Sequence, residues 1–306
     1  MSRSIYILFS ILLLLLVACQ PGGAPTPRAG AAALKVLATT TFLADMAQNV
    51  AGDRLQVGVL LPAGVDPHSY EPTPKDVAQV ADSQVLIVNG AGYEGFLAKL
   101  LESSGGQHRV IEASAGLESR VPYAERDTPG GTEVDPHFWL DPTRAIKYVE
   151  NIRNGLSQAD PAGAATYATN ATAYIVQLRE LDDWIVAQVA QVPKKRRLLV
   201  TNHEAFGYFA DRYGFWIVGA IIPSTSSGAA PSAQQLAYLV DQIKSNGAPA
   251  IFLEAGSNLQ LAEQVAKEAK IKVVTGLLAE STSESAPTYI AMMKHNANVI
   301  ADARKE

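Results

Sequence analysis

The fold depends on one long stretch near the middle of the chain, 161-PAGAATYATNATAYIVQLRELDDWIVAQVAQV-192. Its apolar residues recur at spacings of three and four, as one face of an amphipathic helix requires. No proline or glycine interrupts residues 164–192, so a helix could run for ~40 Å at about 1.5 Å per residue. We therefore predict one α-helix over residues 159–193 that links two lobes. The alternative is two shorter helices with a bend.

On both sides of this stretch, short apolar runs alternate with helical patterns. Strands that are apolar throughout are typical of parallel sheets buried on both faces. The runs are 35-KVLAT-39, 56-QVGVLL-61, 84-QVLIVN-89, 109-RVIEA-113, 197-RLLVT-201, 216-WIVGAII-222, 250-AIFLEA-255 and 272-KVVTG-276. The sequence thus predicts an α/β fold with two lobes, residues 34–158 and 194–306. Each lobe would be a four-stranded parallel sheet with flanking helices.

The first residues predict where the protein acts. Arg3 is followed by an apolar run, 5-IYILFSILLLLLVA-18, which is short for a membrane span and typical of a signal peptide. The small residue before Cys19 resembles a bacterial lipobox, in which the peptidase cuts before a cysteine that is then lipidated. We predict a lipoprotein signal peptide over residues 1–18 and a lipid anchor with a flexible tether over residues 19–33. The alternative is an ordinary secretory signal that happens to contain a cysteine.

Composition argues against several classes of function. Cys19 is the only cysteine, so we expect no disulfide and no thiolate metal site. The formal charge is −5 with acids and bases interspersed, which leaves no basic stripe for nucleic acid. After residue 18 no apolar run is long enough to cross a bilayer. We therefore expect a globular body outside the cytoplasmic membrane, held to it through the lipid anchor only.

Three of the five histidines follow predicted strands. His68 follows the second strand within a proline-rich loop, His137 follows the fourth, and His203 follows the first strand of the second half. Ligands of open parallel sheets bind at the carboxyl ends of strands, so a cleft between the lobes would bring these imidazoles together. Converging neutral imidazoles favour a borderline divalent metal, zinc above all. Taken singly, each is an ordinary loop histidine, and we interpret His108 and His295 as structural.

A carboxylate from the remaining strand end is predicted to complete this site. Glu280 follows the last strand, and its rival is Glu254 at the end of 250-AIFLEA-255. Acids near the candidate ligands could support the imidazoles from behind, and these are Asp66, Asp135, Glu204 and Glu254.

Longer motifs surround these residues. They are 62-PAGVDPHSYEPTPKD-76, 135-DPHFWLDP-142, 201-TNHEAFGYFADRYG-214, 222-IPSTSSGAAPSAQQL-236, 251-IFLEAGSN-258 and 288-TYIAMMKHN-296. In this order they resemble the metal-binding receptors of bacterial ABC importers for zinc and manganese, the TroA-like solute-binding family 9. The resemblance covers residues 34–306 and implies two lobes, one long linking helix and a metal in the cleft. His68, His137 and His203 match the ligand histidines of that family, and Glu280 matches its acidic fourth ligand.

The resemblance implies capture rather than catalysis. A lipid-tethered receptor, which we expect to be monomeric, would bind the ion and dock on an ABC permease in the cytoplasmic membrane. Three nitrogens and one carboxylate favour Zn2+ as the transported ligand, because manganese prefers more oxygen ligands. The alternative is a receptor for Mn2+, or for both ions. Many zinc members carry a histidine-rich loop, but residues 116–134 hold no histidine, so this region gives no support to zinc.

Other functions stay open on the residues alone. A zinc hydrolase also uses three protein ligands, but it leaves one position open for water. A siderophore or corrinoid receptor would need a wide cleft lined by aromatic or arginine side chains. Some members of the family were described as adhesins, yet nothing in this chain resembles a peptide- or glycan-binding surface.

Overall fold

Each half of the chain builds one four-stranded parallel sheet. The computed structural model describes residues 34–125 and 133–305, so the predicted signal peptide, Cys19 and the tether lie outside the described residues. Residues Leu34–Glu306 form one compact unit, and the predicted lobe boundaries stay a prediction. No helix within the described ranges has the length and apolar character needed to cross a membrane.

The first sheet and its helices precede the linking helix. In chain order they are β1 (Val36–Ala38), α1 (Thr41–Ala51), β2 (Val57–Val59), α2 (Pro74–Ala81), β3 (Val85–Val88), α3 (Leu97–Ser104), β4 (Arg109–Glu112) and α4 (Pro142–Ala159). The strand order is β2-β1-β3-β4, and Val36 of β1 lies in register with Val57 of β2 and Val85 of β3. The helix α4 begins where the sequence predicts it, because Asp141 accepts a hydrogen bond from the Thr143 amide at 2.8 Å.

The second half repeats this arrangement after the linking helix α5 (Ala164–Ala190). Its elements are β5 (Leu198–Thr201), α6 (Gly207–Tyr213), β6 (Trp216–Ala220), α7 (Ala233–Asn246), β7 (Ala250–Glu254), α8 (Leu259–Ala269), β8 (Lys272–Leu277) and α9 (Tyr289–Lys305). The strand order is β6-β5-β7-β8, the same as in the first sheet with the strands renumbered. The predicted α/β architecture with two four-stranded parallel sheets is confirmed.

The linking helix is a single α-helix of 27 residues rather than two helices with a bend. It packs against α1 and α4 of the first half and against α6 and α9 of the second. The buried face repeats every three or four residues and consists of Tyr167, Ala171, Tyr174, Leu178, Leu181, Asp182, Ile185 and Val189. One helix therefore supplies core to both halves.

The last helix, α9, is a second tie between the halves, which sequence reasoning missed. At its start the Tyr289 amide donates to Asp45 of α1 at 2.9 Å, and the Tyr289 hydroxyl donates to the Trp139 carbonyl at 2.5 Å. The Trp139 ring is fully buried and stacks on Phe42, with 4.4 Å between ring centroids. These contacts lie beside the loops that carry His137 and Glu280, so the core shared by the two halves also fixes these loops.

We predict that Leu178→Ala in the middle of α5 lowers the free energy of unfolding by about 2–5 kcal/mol, because it removes buried methyl groups and leaves a cavity. The matched control is Val176→Ala on the same helix, where the side chain is 46% exposed and the expected change is within about 0.5 kcal/mol. Urea denaturation of metal-free protein, followed by circular dichroism, measures both. An equal loss of unfolding free energy in the two variants would contradict the role of the buried face of α5 as core of both halves.

Candidate metal centre

His68 lies in a loop whose backbone is fixed at several points. Asp66 Oδ1 accepts a hydrogen bond from the His68 amide at 2.9 Å, which closes a turn around the histidine. Beyond it, Thr73 caps α2, and Asp76 accepts from the Thr73 amide at 2.7 Å and from the Tyr70 hydroxyl at 2.6 Å. The prolines of this loop restrict it further. The backbone that carries His68 is therefore held in place.

His137 is held by a buried carboxylate two residues before it. Asp135 Oδ1 lies 2.9 Å from Nδ1 of His137 and accepts from the His137 amide at 3.1 Å. A carboxylate beside Nδ1 keeps the imidazole proton on that atom and leaves the lone pair of Nε2 available to a metal. Arg120 lies 3.5 Å from the other oxygen of Asp135 and balances its buried charge.

His203 repeats this pattern with a partner from another strand. It lies two residues after the end of β5, and the Thr201 hydroxyl donates to its carbonyl at 2.7 Å. Glu254 at the end of β7 accepts from the His203 amide at 3.3 Å, and its second oxygen lies 2.6 Å from Nδ1. Nε2 of His203 again points away from the supporting carboxylate.

Glu280 is placed by a bulge and by α9. Gly276 interrupts the ladder between β7 and β8 with φ +97°, a conformation that favours glycine, and this redirects the chain as β8 ends. The Asn296 side chain of α9 then forms two hydrogen bonds with the Leu278 backbone, accepting from its amide and donating to its carbonyl, both at 2.8 Å. The Trp139 indole donates to the carbonyl just before Glu280 at 2.9 Å. Two long-range contacts thus fix the two residues just before the acidic residue.

The structure brings His68, His137, His203 and Glu280 to one point. One ligand atom from each of them lies within 4.8 Å of all the others. Nε2 of His137 lies 3.3 Å from Nε2 of His68 and 3.3 Å from Nε2 of His203. Oε1 of Glu280 lies 3.1 Å from Nε2 of His203, 3.3 Å from that of His137 and 3.9 Å from that of His68. These separations fit donor atoms about 2 Å from a shared zinc ion.

The nearby acids do not all play the part that the sequence predicted for them. Asp135 and Glu254 contact imidazole Nδ1 atoms, and Asp66 supports the backbone of the His68 loop. Glu254 faces the rear of His203, so the carboxylate among the three Nε2 atoms belongs to Glu280. Glu204 instead accepts from backbone amides of segment 123–124, and burial raises its pKa to about 7.

The other two histidines lie outside this cluster. The His108 ring contacts the Ser83 carbonyl at 3.0 Å and the Ser104 hydroxyl at 3.1 Å. Nε2 of His295 lies 2.8 Å from the Gly276 carbonyl, on the side of β8 that α9 covers. Both rings have local partners of the kind expected for structural histidines.

Tyr93 is a residue of this site that sequence reasoning missed. It lies after β3, and its hydroxyl donates a hydrogen bond to Oε2 of Glu280. Burial raises the pKa of Tyr93 well above its ordinary value, so the hydroxyl keeps its proton. The signal in the sequence that could have indicated it is the glycine-rich turn 89-NGAGYEG-95 at a strand end.

Burial and the carboxylates shift the pKa of each ligand differently. Burial prevails at His68 and lowers its pKa to about 4. At His137 and His203 burial also opposes the charged form, but Glu280, Asp135 and Glu254 outweigh it and raise both pKa values. Burial acts against ionised Glu280 too, yet the surrounding imidazoles hold its pKa well below the ordinary value. Without metal, the cluster therefore holds a carboxylate and imidazole protons at neutral pH.

Comparison with known proteins gives consistent matches over nearly the whole chain. The family model described as ZnuA, zinc-uptake complex component A, periplasmic, matches residues 36–303. The manganese-binding lipoprotein MntA of Halalkalibacterium halodurans is 35% identical over 94% of each chain. The iron-binding protein YfeA of Yersinia pestis is 33% identical over 87% of this chain and 85% of its own. The periplasmic zinc-binding protein TroA from Treponema pallidum superposes with a TM-score of 0.80 at 26% identity, over 89% of this chain and 99% of its own.

We predict that zinc affinity falls steadily as the pH drops from about 8 to about 5, because a ligand imidazole must lose its proton. The raised pKa values of His137 and His203 start this competition above ~6.5, the ordinary imidazole value, whereas His68 takes up a proton only near pH 4. At pH 7 we expect about one to two protons released per zinc. Calorimetry in buffers of different ionisation enthalpy measures this number. Affinity that is flat between about pH 8 and 5 would contradict the assignment.

Proposed function

Because the chain belongs to the ZnuA family, whose members are solute-binding proteins of metal ABC importers, we propose that it captures Zn2+ through His68, His137, His203 and Glu280. The ion is cargo, and the protein delivers it to a permease in the cytoplasmic membrane. The family consists of receptors, so the chain is not an enzyme.

One oxygen atom carries this proposal. Oε1 of Glu280 is buried and accepts no hydrogen bond from any residue within the described ranges, although three imidazole Nε2 atoms lie within 3.9 Å of it. A buried carboxylate oxygen without a hydrogen bond is costly unless a positive charge faces it. Without metal, protons on His137 and His203 supply that charge. A metal ion among the three Nε2 atoms would supply it in their place and leave both imidazoles neutral, as metal ligands must be.

The surroundings of the cluster favour the arrival of a cation. A cavity of about 250 Å³ lies beside Glu280, and residues of both halves line it, including Asp66, Ser227 and Glu254. Three of the residues that line this small space are therefore acidic, Asp66, Glu254 and Glu280. Such an arrangement concentrates cations near the ligands and speeds their capture.

The donor set favours zinc over the metals named for some relatives. Three imidazole nitrogens and one carboxylate oxygen suit four-coordinate zinc, whereas manganese prefers more oxygen ligands. Manganese is the second candidate, because MntA, a relative 35% identical to this chain, is named a manganese-binding lipoprotein. A hydrolytic zinc site is disfavoured, since Glu280 takes the corner that would hold the catalytic water.

Anchoring and docking complete the proposal. Several relatives are named substrate-binding lipoproteins of metal ABC transporters, which supports lipidation at Cys19 and an extracytoplasmic position. We propose that the receptor acts as a monomer on the membrane surface, with residues 19–33 as its tether and an ABC permease as its partner. No part of this arrangement requires nucleic acid.

We predict that His137→Ala lowers zinc affinity by at least about 100-fold, because it removes a ligand from the centre of the cluster. The matched control is His108→Ala, which removes a histidine held by Ser83 and Ser104 away from the site, and its zinc affinity should equal that of the unmodified protein. Chelator competition on protein stripped of metal measures both. Equal zinc affinities for the two variants would refute the ligand assignment.

The choice of metal is tested in the cell. Deletion of the gene should prevent growth in chelator-treated medium, and added zinc should restore growth at lower concentration than added manganese. Uptake decides the question better than affinity, because most such sites hold zinc more tightly than manganese whatever they transport. Rescue by manganese and not by zinc would overturn the zinc assignment and leave the four ligands in place.

A further inference from the structure

The two oxygens of the Glu280 carboxylate have different surroundings. Oε1 faces the Nε2 atoms of His68, His137 and His203, at 3.9, 3.3 and 3.1 Å. Oε2 is turned away from them and accepts a hydrogen bond from the Tyr93 hydroxyl. A carboxylate can bind a metal through one oxygen or through both, and here a donor engages the second oxygen.

Tyr93 has little freedom to release that oxygen. Its side chain is only 1% exposed. The ring packs edge-on against His68, with centroids 5.0 Å apart, and against Trp139, with centroids 4.9 Å apart. Both neighbours are fixed in turn, His68 by its proline-rich loop and Trp139 by its stacking on Phe42. The hydroxyl is therefore a rigid donor in a fixed direction.

The backbone before Tyr93 is held just as firmly. Gly90, Ala91 and Gly92 all have positive φ, at 85°, 53° and 78°, which is strained for the alanine. Glu94 holds this turn, because its carboxylate accepts from the Asn89 amide at 2.7 Å and the Gly90 amide at 3.1 Å. A strained turn persists only where its surroundings determine it, and here it sets the position of Tyr93.

We propose that Tyr93 determines metal specificity by holding Glu280 as a ligand through one oxygen only. This inference rests on the proposed function, since it assumes a metal bound by the three imidazoles and Glu280. With Oε2 engaged, the chain supplies three nitrogens and one oxygen, which is the four-coordinate geometry that zinc adopts. Cations that prefer more oxygen ligands, such as Mn2+, lose a fifth donor atom. Tyr93 is thus a positioning residue, which acts on the metal through Glu280.

The first test is Tyr93→Phe, which keeps the ring and removes the hydroxyl. Freed from its donor, Oε2 can join Oε1 on the metal, so the variant should bind manganese more tightly relative to zinc. We expect the ratio of the manganese Kd to the zinc Kd to fall by about tenfold or more in chelator competition. The matched control is Tyr167→Phe, which removes a hydroxyl that donates to Asp160 at 2.5 Å at the far end of α5. Its ratio should equal that of the unmodified protein.

The second test uses Co2+ as a probe, and its first part requires no variant. Cobalt in the unmodified protein should give the intense visible bands of a four-coordinate ion, and Tyr93→Phe should weaken them as the coordination number rises. Weak five- or six-coordinate bands in the unmodified protein would overturn the inference even if the variant failed to fold. An unchanged spectrum and an unchanged ratio in a folded Tyr93→Phe variant would overturn it as well. Failure of the proposed function is distinguishable, because His137→Ala and the unmodified protein would then bind zinc equally.

Discussion

A carboxylate and three imidazoles buried at one point are the constraint on which the rest of this structure depends. Removing an ionised carboxylate from water costs several kcal/mol unless charges of the opposite sign surround it. Around Glu280 those charges are imidazole protons or a bound cation, and both depend on His137 and His203. Each ring is therefore oriented by a second carboxylate on its Nδ1, from Asp135 or Glu254. The four side chains therefore stabilise one another, and removing one of them would leave a buried charge without its partner.

The scaffold meets this constraint by limiting relative motion of its two halves. The helices α5 and α9 pack on both halves, and Trp139 joins the loop of His137 to that of Glu280. On the side of the cleft, hydrogen bonds join the two halves. The Ser227 hydroxyl donates to Asp66 at 2.7 Å, and the Gly64 amide donates to Ser281 at 3.0 Å. Buried packing on one side and hydrogen bonds on the other thus join the halves.

Fold and metal choice are separable in this family. Relatives and structural neighbours that share most of this chain's length are named for manganese, iron and zinc. One fold therefore serves several cations, and selectivity lies in the donor atoms that it presents. In the site proposed for this chain those donors would be three imidazole nitrogens and the Glu280 carboxylate, whose second oxygen accepts a hydrogen bond from Tyr93.

The sequence by itself determined the repeating strands, the continuous linking helix and the three histidines at strand ends, because each leaves a local pattern. The buried face of α5 repeats at helical spacing, and His68, His137 and His203 each follow an apolar run. The residues alone left Glu280 and Glu254 as rivals, and only the family resemblance favoured Glu280. The tertiary structure separated them, since both lie at the ends of strands of the same sheet. The order β5-β7-β8 puts Glu254 behind His203, whereas the Gly276 bulge and Asn296 turn Glu280 toward the three Nε2 atoms. The role of Tyr93 and the contacts of α9 were also visible only in the tertiary structure. They join residues far apart in the sequence, and such long-range packing produces no repeating pattern of residues along the chain.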